Sequence, residues 1–268
     1  MTRPDFYDAE YYRAMRGTDA ADGDHPAALY DIFLGLLDGD DLPALSILDA
    51  GCGRGELMAL LLRAGAAEVW GFDFSPAAVA ASRQRLSAAA GREAADRVVE
   101  GSIAEAGLFP DDRFDVIFAT DVVEHLPPPL LAAGLGNLRR WLKPDGKLLI
   151  HTFPTLGPHR LYQRYLKLTG DAEALARLNT AHCNVQTRAT LRDAVTAAGL
   201  SCERLWLQND FAATSTAYQA MPAGGRKRLV KFLFDDIARW PPTRRLIAAL
   251  GLAEFANMSI YCACRKGG

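Results

Sequence analysis

The chain has 268 residues, of which 50% are hydrophobic, and a formal net charge of -2. This composition is typical of a globular protein with one substantial core, and it excludes a chain that is largely disordered or basic throughout like many nucleic-acid-binding proteins. Residues 1–12 lack the apolar segment of a signal peptide and no run reaches membrane-spanning length, so we expect a cytoplasmic protein with no membrane or nucleic-acid partner.

Apolar and aromatic residues at helical spacing predict two N-terminal helices, over residues 5–16 and 26–37. We expect them to form a helical cap over residues 1–40, followed by one α/β domain over residues 41–268.

The α/β domain begins with alternating strand and helix patterns. The predicted strands are 45–50, 69–73, 97–100, 114–120 and 147–153, and the predicted helices are 55–64, 76–90 and 130–142, with a turn at 143–146. A helix at 189–198 and strands at 202–208 and 256–264 complete the pattern. This order predicts a doubly wound, mostly parallel seven-stranded sheet.

Two connections are too long for simple turns between a strand and a helix. They cover residues 154–185 and 211–253, and we expect both to be insertions that form lids or bind an acceptor. Within the second, residues 226–245 carry seven basic and two acidic side chains. This balance fits a solvated helix face and leaves an anionic acceptor open.

Polar side chains follow several of the predicted strands. Asp49, Asp73, Ser102 and Asp121 each fall at or just beyond a strand end, where ligands bind in parallel sheets. Glycines at 51, 53 and 55 follow the first strand, and they let a ligand approach the backbone.

Four motifs in order resemble those of class I S-adenosylmethionine-dependent methyltransferases. They are Ile47–Gly55, Gly71–Pro76, Phe114–Asp121 and Leu142–Ile150, and the resemblance covers about residues 40–210 and the last strand. It implies a Rossmann-like methyltransferase fold that uses S-adenosylmethionine as its cofactor.

A nicotinamide-binding fold is the main alternative, because it too places an acidic residue after the second strand. Its fingerprint needs a glycine three positions after Gly53, where this chain has Glu56. The Glu56 carboxylate would repel a pyrophosphate but suits the ammonium group of S-adenosylmethionine.

The resemblance implies a set of cofactor-binding residues. Asp49 and the turn at Gly51, Cys52 and Gly53 would receive the amino-acid part of the donor, and Asp73 the ribose hydroxyls. Phe74, Ser102 and Ile103 would border the adenine, Thr120 and Asp121 would lie beneath the sulfonium, and Tyr12 belongs to a segment resembling a closing N-terminal helix.

The candidate catalytic residues are Asp121, Glu124, His125 and His182. They resemble a pattern in ubiquinone-biosynthesis-type O-methyltransferases and plant small-RNA 2′-O-methyltransferases, which implies a divalent cation held by Glu124, His125 and His182. His125 acting as a base or acceptor contact without metal, and a purely structural pair, are the alternatives. We expect O-methylation of a small molecule, with C- or N-methylation or alkyl transfer from the same donor left open.

Other candidates receive a structural interpretation. His151 is expected to be a satisfied histidine at a sheet end, and His159, Arg160 and Arg164 to be solvated unless the acceptor is anionic. Cys262 and Cys264 share a strand face, and with no second pair we expect packing rather than metal binding.

Overall fold

A computed structural model describes residues 32–37, 41–208, 224–225, 228, 240–253 and 257–267. The first predicted helix with Tyr12, the start of the second, and most of the insertion at 211–253 lie outside these residues. The helical cap over residues 1–40 therefore stays a prediction.

A seven-stranded sheet forms the centre of the fold, in the order β3-β2-β1-β4-β5-β7-β6. Its strands are β1 Ser46–Ala50, β2 Glu68–Asp73, β3 Val98–Glu100, β4 Phe114–Thr120, β5 Leu142–Thr152, β6 Leu200–Gln208 and β7 Ser259–Lys266. The pairings among β1 to β5 are parallel, and β7 runs antiparallel to both β5 and β6. The predicted doubly wound, mostly parallel sheet is confirmed.

Helices cover both faces of this sheet. Their bounds are α1 Glu56–Arg63, α2 Pro76–Ala90, α3 Arg92–Asp96, α4 Pro128–Trp141, α5 Leu156–Thr169, α6 Ala172–Ala181, α7 Arg188–Ala197 and α8 Pro241–Ala249. Residues 32–35 also form a helical turn, whose Phe33 packs edge-on against Phe118 of β4, with ring centroids 5.4 Å apart. No helix among the described residues is long and apolar enough to cross a membrane.

Strand β4 lies between β1 and β5, and five of its seven residues are buried. Ile117 packs into the hydrophobic cluster on one face of the sheet, and Val116 and Phe118 into the cluster on the other. A strand buried on both faces must be apolar almost throughout, which explains its sequence. The carboxyl ends of the parallel strands consequently meet at one edge of a rigid core.

The main local differences from the prediction concern the start of β5, the start of the last strand and the helix α3. The predicted turn at 143–146 lies within β5 as an irregularity. The paired residues pass from Phe114–Leu142 to Val116–Lys147, so β5 advances by five residues where β4 advances by two. The last strand begins at Ser259 rather than at residue 256, and the short helix α3 was not predicted.

Candidate active site

The glycine turn connects β1 to α1 and is fixed to the neighbouring strand. Backbone N–H groups of Gly51 and Cys52 both donate to the Phe72 carbonyl, each at 2.9 Å. Gly51 has φ +73, and a Cβ there would come within 2.6 Å of Val122. Gly53 has φ +52, and a Cβ there would meet nothing within 4 Å among the described residues. The turn is thus packed against protein at Gly51 and open at Gly53.

Asp73, at the end of β2, holds this turn in place. Its Oδ2 accepts a hydrogen bond from the Gly53 N–H at 3.0 Å, and its Oδ1 accepts one from the Ser75 N–H at 2.9 Å. Burial raises the pKa of Asp73 to about 6, although the backbone N–H groups favour the ionised form and oppose the shift. The side chain predicted to bind ribose therefore also sets the shape of the glycine turn.

Asp49, at the end of β1, is buried with two other acidic side chains nearby. Burial, followed by the charges of Glu56 and Asp73, raises the pKa of Asp49 to about 8. Glu56 is itself paired with Arg54 at 2.8 Å and Arg85 at 3.5 Å. A ligand with positive charge placed beside Asp49 would relieve this unfavourable charge distribution.

The other predicted donor residues lie around the same edge of the sheet. The Cys52 side chain is buried in the core, so only its backbone can face a ligand. Ile103 is also buried, whereas Phe74 is half-buried. The Ser102 hydroxyl accepts a hydrogen bond from the Ala104 N–H at 3.3 Å, and the buried Thr120 hydroxyl has no hydrogen-bond partner among the described residues.

Asp121 directly follows β4 and has φ +55, in the left-handed region that residues other than glycine rarely adopt. Two hydrogen bonds hold it to His151 of β5. The Asp121 N–H donates to the His151 carbonyl at 3.1 Å, and the Asp121 Oδ1 lies 2.6 Å from the His151 Nδ1. Sequence analysis missed this pair, since only the register that sets Thr120 beside His151 brings the two together.

Glu124 is buried and hydrogen-bonded to the end of β5. Its Oε2 accepts from the Thr152 hydroxyl at 2.9 Å, and its Oε1 accepts from the Phe153 N–H at 3.3 Å. Burial, followed by the charge of Asp121, raises the pKa of Glu124 to about 8. Glu124 therefore anchors the segment between β4 and α4 to β5.

Three histidines pack in a row between this segment and the helices α5 and α6. The ring centroids of His125 and His182 are 5.1 Å apart, and those of His182 and His159 are 5.9 Å apart. The expectation that His159 is solvated is wrong, because its position on α5 turns it toward His182 and buries it. Arg160 and Arg164 of the same helix are exposed, as expected.

Protonation of these rings is disfavoured. The His125 Nδ1 lies 2.6 Å from the Ala181 carbonyl, which can only accept, so Nδ1 carries the proton and a neutral ring leaves a lone pair on Nε2. Burial lowers the pKa of His125, and burial with the neighbouring His125 and His159 lowers the pKa of His182 to about 3. His182 is therefore a far weaker base than an ordinary histidine.

The predicted cation site at Glu124, His125 and His182 is not assembled. The only described group of three or more potential ligands with all ligand atoms within 4.8 Å of one another consists of cysteines elsewhere in the sheet. Both Glu124 oxygens accept protein hydrogen bonds, and the His125 Nδ1 is held by a carbonyl. The arrangement does not fit a cation held jointly by these three side chains.

Comparison with solved structures defines the class of the fold. A geranyl diphosphate C-methyltransferase from Streptomyces coelicolor A3(2) superposes with a TM-score of 0.60 at 16% sequence identity, over 90% of this chain and 79% of that one. The seven-stranded sheet is thus the Rossmann-like sheet of class I methyltransferases.

The chain matches the methyltransferase domain family over residues 21–205, more than half of its length, and belongs to that family. A ubiquinone biosynthesis O-methyltransferase from Cereibacter sphaeroides is 38% identical over 40% of this chain and 41% of that protein. A ribosomal protein L11 methyltransferase from Photobacterium profundum is 34% identical over 48% of this chain and 40% of that one. The chain spans about two fifths of the length of these relatives.

Proposed function

We propose that this protein transfers the methyl group of S-adenosylmethionine to a hydroxyl group of a small-molecule acceptor. The observation that carries the proposal is the placement of Asp49, Asp73 and Glu56 around a glycine turn with one open side. Such a site favours a ligand that combines positive charge with hydroxyl groups, and it opposes the pyrophosphate of a nicotinamide cofactor. S-adenosylmethionine has this combination, because it carries a positively charged ammonium group and sulfonium together with the ribose hydroxyls.

In this proposal the glycine turn and the ends of β1 and β2 bind the donor. Asp49 receives the ammonium group, and the backbone from Gly51 to Gly53 lies along the amino-acid part. The Asp73 carboxylate accepts the backbone N–H groups of Gly53, Ser75 and Phe74, and its remaining capacity to accept would receive a ribose hydroxyl. Phe74, Ser102 and Ile103 border the adenine, and Tyr12 covers the donor.

Thr120 and Asp121 lie beneath the sulfonium in the proposed complex. Both are at the carboxyl end of the central strand β4, and the hydrogen bonds from Asp121 to His151 fix the direction of its carboxylate. A fixed carboxylate next to a positively charged sulfur helps to position the donor for in-line displacement.

His125 acts as the proton acceptor on the acceptor side. S-adenosylmethionine, when bound, supplies a methyl group on a good leaving group, so the remaining task of the protein is to position the acceptor and remove its proton. The neutral His125 ring would take the proton on its Nε2, and the Glu124 Oε1 lies 4.0 Å from that nitrogen, where Glu124 in its ionised form would stabilise the protonated ring. His182, with its pKa of about 3, packs beside His125 rather than taking the proton.

The acceptor site is proposed to lie under the insertions. Helices α5 and α6 fill the insertion at 154–185 and carry His159 and His182 to the side of His125. We propose that this insertion, the one at 211–253 and the cap over residues 1–40 enclose a small molecule in the cytoplasm. The exposed Arg160 and Arg164 lie about one helical turn apart and would receive an anionic group on it.

Transfer of another group of the donor, or methylation of carbon or nitrogen, is the second candidate. The relatives above include O-, C- and protein methyltransferases on the same fold, so the fold does not decide the methylated atom.

Incubation with methyl-labelled donor and a library of hydroxylated small molecules, followed by mass spectrometry, tests the proposal. We expect S-adenosylhomocysteine, a product that carries the labelled methyl group on an oxygen atom, and full activity in excess EDTA. Methylthioadenosine as the product would contradict methyl transfer, and a labelled methyl group on carbon or nitrogen would contradict O-methylation. Loss of activity in EDTA that an added divalent cation restores, with the melting temperature unchanged by EDTA, would contradict His125 acting without a metal.

A further inference from the structure

Three of the five cysteines in the chain come together on strands β6 and β7. The Sγ atoms of Cys262 and Cys264 are 3.4 Å apart, and those of Cys202 and Cys262 are 3.6 Å apart. All three sulfur atoms lie within 4.8 Å of one another. The sequence pattern revealed only Cys262 and Cys264, because Cys202 reaches them through the antiparallel register that pairs it with Cys264.

The sulfur separations are close to those of a thiolate metal site. A zinc–sulfur bond is about 2.3 Å long, so sulfur atoms around one ion lie about 3.8 to 4.0 Å apart in tetrahedral or trigonal geometry. The two shorter sulfur–sulfur separations, 3.4 and 3.6 Å, lie just below that value, and the third is at most 4.8 Å. Lengthening the two shorter contacts by a few tenths of an ångström would bring them to the separation expected around an ion.

The surroundings balance the charge of such a site. Arg192 of α7 hydrogen-bonds to the Cys202 thiol and acts electrostatically on both Cys202 and Cys262. Three thiolates and one divalent ion carry a net charge of about -1, which one guanidinium neutralises. Cys262 and Cys264 are buried, whereas Cys202 is half-buried on β6 at the edge of the sheet, where an ion can enter.

We propose that Cys202, Cys262 and Cys264 form a binding site for a thiophilic divalent cation of the Zn²⁺ class. Binding breaks three S–H bonds, releases three protons to solvent and forms three metal–sulfur bonds, with no change of oxidation state. The fourth position of a tetrahedral ion would be taken by water, entering past Cys202. Because the cation would join β6 to β7, it would stabilise the edge of the sheet, separated from the glycine turn by β4 and β5.

Titration of the reduced protein with Cd²⁺ alone tests this site, since thiolate coordination of Cd²⁺ gives an ultraviolet charge-transfer band. We expect the band to saturate at one ion per chain, with release of up to three protons that a pH indicator detects. The variant Cys202→Ser should weaken Cd²⁺ binding at least about tenfold, because mutation of a residue that only hydrogen-bonds to a metal ligand already causes a loss of that size. The exposed Cys183 provides the matched control, and Cys183→Ser should bind Cd²⁺ like the unchanged protein.

The proposal fails if the folded, reduced protein gives no saturable band, or if Cys202→Ser and Cys183→Ser bind Cd²⁺ with equal affinity. Should Cys202→Ser not fold, as judged by circular dichroism, Cys264→Ala takes its place with the same expectation. Zn²⁺ competing for the Cd²⁺ band, and raising the melting temperature of the unchanged protein but not that of the variant, would support the assignment. If Zn²⁺ added to the metal-free protein released no protons and left its melting temperature unchanged, the assignment to the Zn²⁺ class would be contradicted.

Discussion

At the scale of single residues, burial beside Glu56 and Asp73 makes the ionised form of Asp49 unfavourable in free energy. A bound cation would neutralise part of this negative charge. The pKa of Asp49, about 8, lies above the ordinary value of 3.8. Asp49 therefore stabilises the free protein most below the ordinary pKa, and this contribution is lost as the pH rises through the folded value. A positively charged donor that binds the ionised carboxylate would favour loss of the Asp49 proton and offset the cost of the buried charge.

The variant Asp49→Asn should separate stability from binding. At about pH 9, removing the buried charge should raise the melting temperature of the free protein by at least about 3 °C, the change expected for roughly 1 kcal/mol in a domain of this size. The same change should weaken S-adenosylmethionine binding at least about tenfold, because a charge-assisted contact is lost.

The pH dependence of donor binding adds a check on the same residue. Between about pH 6 and pH 8 the unchanged protein must release a proton to bind the donor, so affinity should rise with pH by up to about tenfold per unit, and the rise should flatten in Asp49→Asn. Asp111→Asn, a change at an exposed carboxylate paired with Arg140, is the control. Equal pH profiles in all three proteins would disprove the role of Asp49.

The variant His125→Asn tests the proposed base. An asparagine amide can still donate to the Ala181 carbonyl, so the local fold should persist while the proton acceptor is lost. We expect kcat to fall by about 100-fold or more, with the donor dissociation constant unchanged. His182→Gln should cost much less, since a group with a pKa of about 3 accepts few protons at neutral pH. A larger loss in His182→Gln than in His125→Asn would reverse the assignment.

Residue types at strand ends can be predicted from sequence, but their partners often cannot. Asp49 and Asp73 follow apolar runs that mark buried strands, and both lie where expected. The contact of Asp121 with His151 depends on the register of β4 and β5, and the burial of His159 depends on how α5 packs. Neither register nor packing leaves a local trace in the sequence.

At the scale of elements, boundaries were predicted best where local chemistry fixes them. Helix α2 begins after Ser75, whose hydroxyl accepts the Ala78 N–H at 3.3 Å, with a proline at its first position, and its predicted range was 76–90 as observed. The irregular stretch of β5 at 143–146 was predicted as a turn, because Lys-Pro-Asp-Gly resembles one. Its place inside β5 depends on the pairing of Leu142 and Lys147 with β4 on either side of it, which is a tertiary effect.

The glycine turn allows a matched test of the donor site. Gly53→Ala and Gly170→Ala both place a methyl group at a positive φ, +52° and +74°, with nothing within 4 Å in the part of the chain that the structure describes. Both should therefore cost about 1–2 kcal/mol of stability. Only the Gly53 methyl would project into the proposed donor site. We expect Gly53→Ala to weaken S-adenosylmethionine binding at least about tenfold, measured by calorimetry, with Gly170→Ala unchanged. Equal donor affinity in the two variants would contradict the placement.

At the scale of the whole molecule, one sheet brings together two separate groups of side chains. The parallel half, β3-β2-β1-β4-β5, brings Asp49, Asp73 and Asp121 to one edge. The antiparallel β7 and β6 extend the sheet and bring three cysteines together. The order of strands follows the family, so it was predictable once the motifs were identified. The acceptor chemistry was not, because the two insertions that we propose to enclose the acceptor carry no specific motif.

Calorimetric titration of the protein with S-adenosylmethionine and, in parallel, with NAD at about pH 8 tests the central claim most directly. Both ligands carry adenine and ribose, but one presents a cationic amino-acid tail and the other a pyrophosphate to the turn between Gly51 and Gly53. We expect saturable one-to-one binding of S-adenosylmethionine, lost in Asp73→Ala, and no heat of binding from NAD. Saturable binding of NAD with none of S-adenosylmethionine would contradict the account.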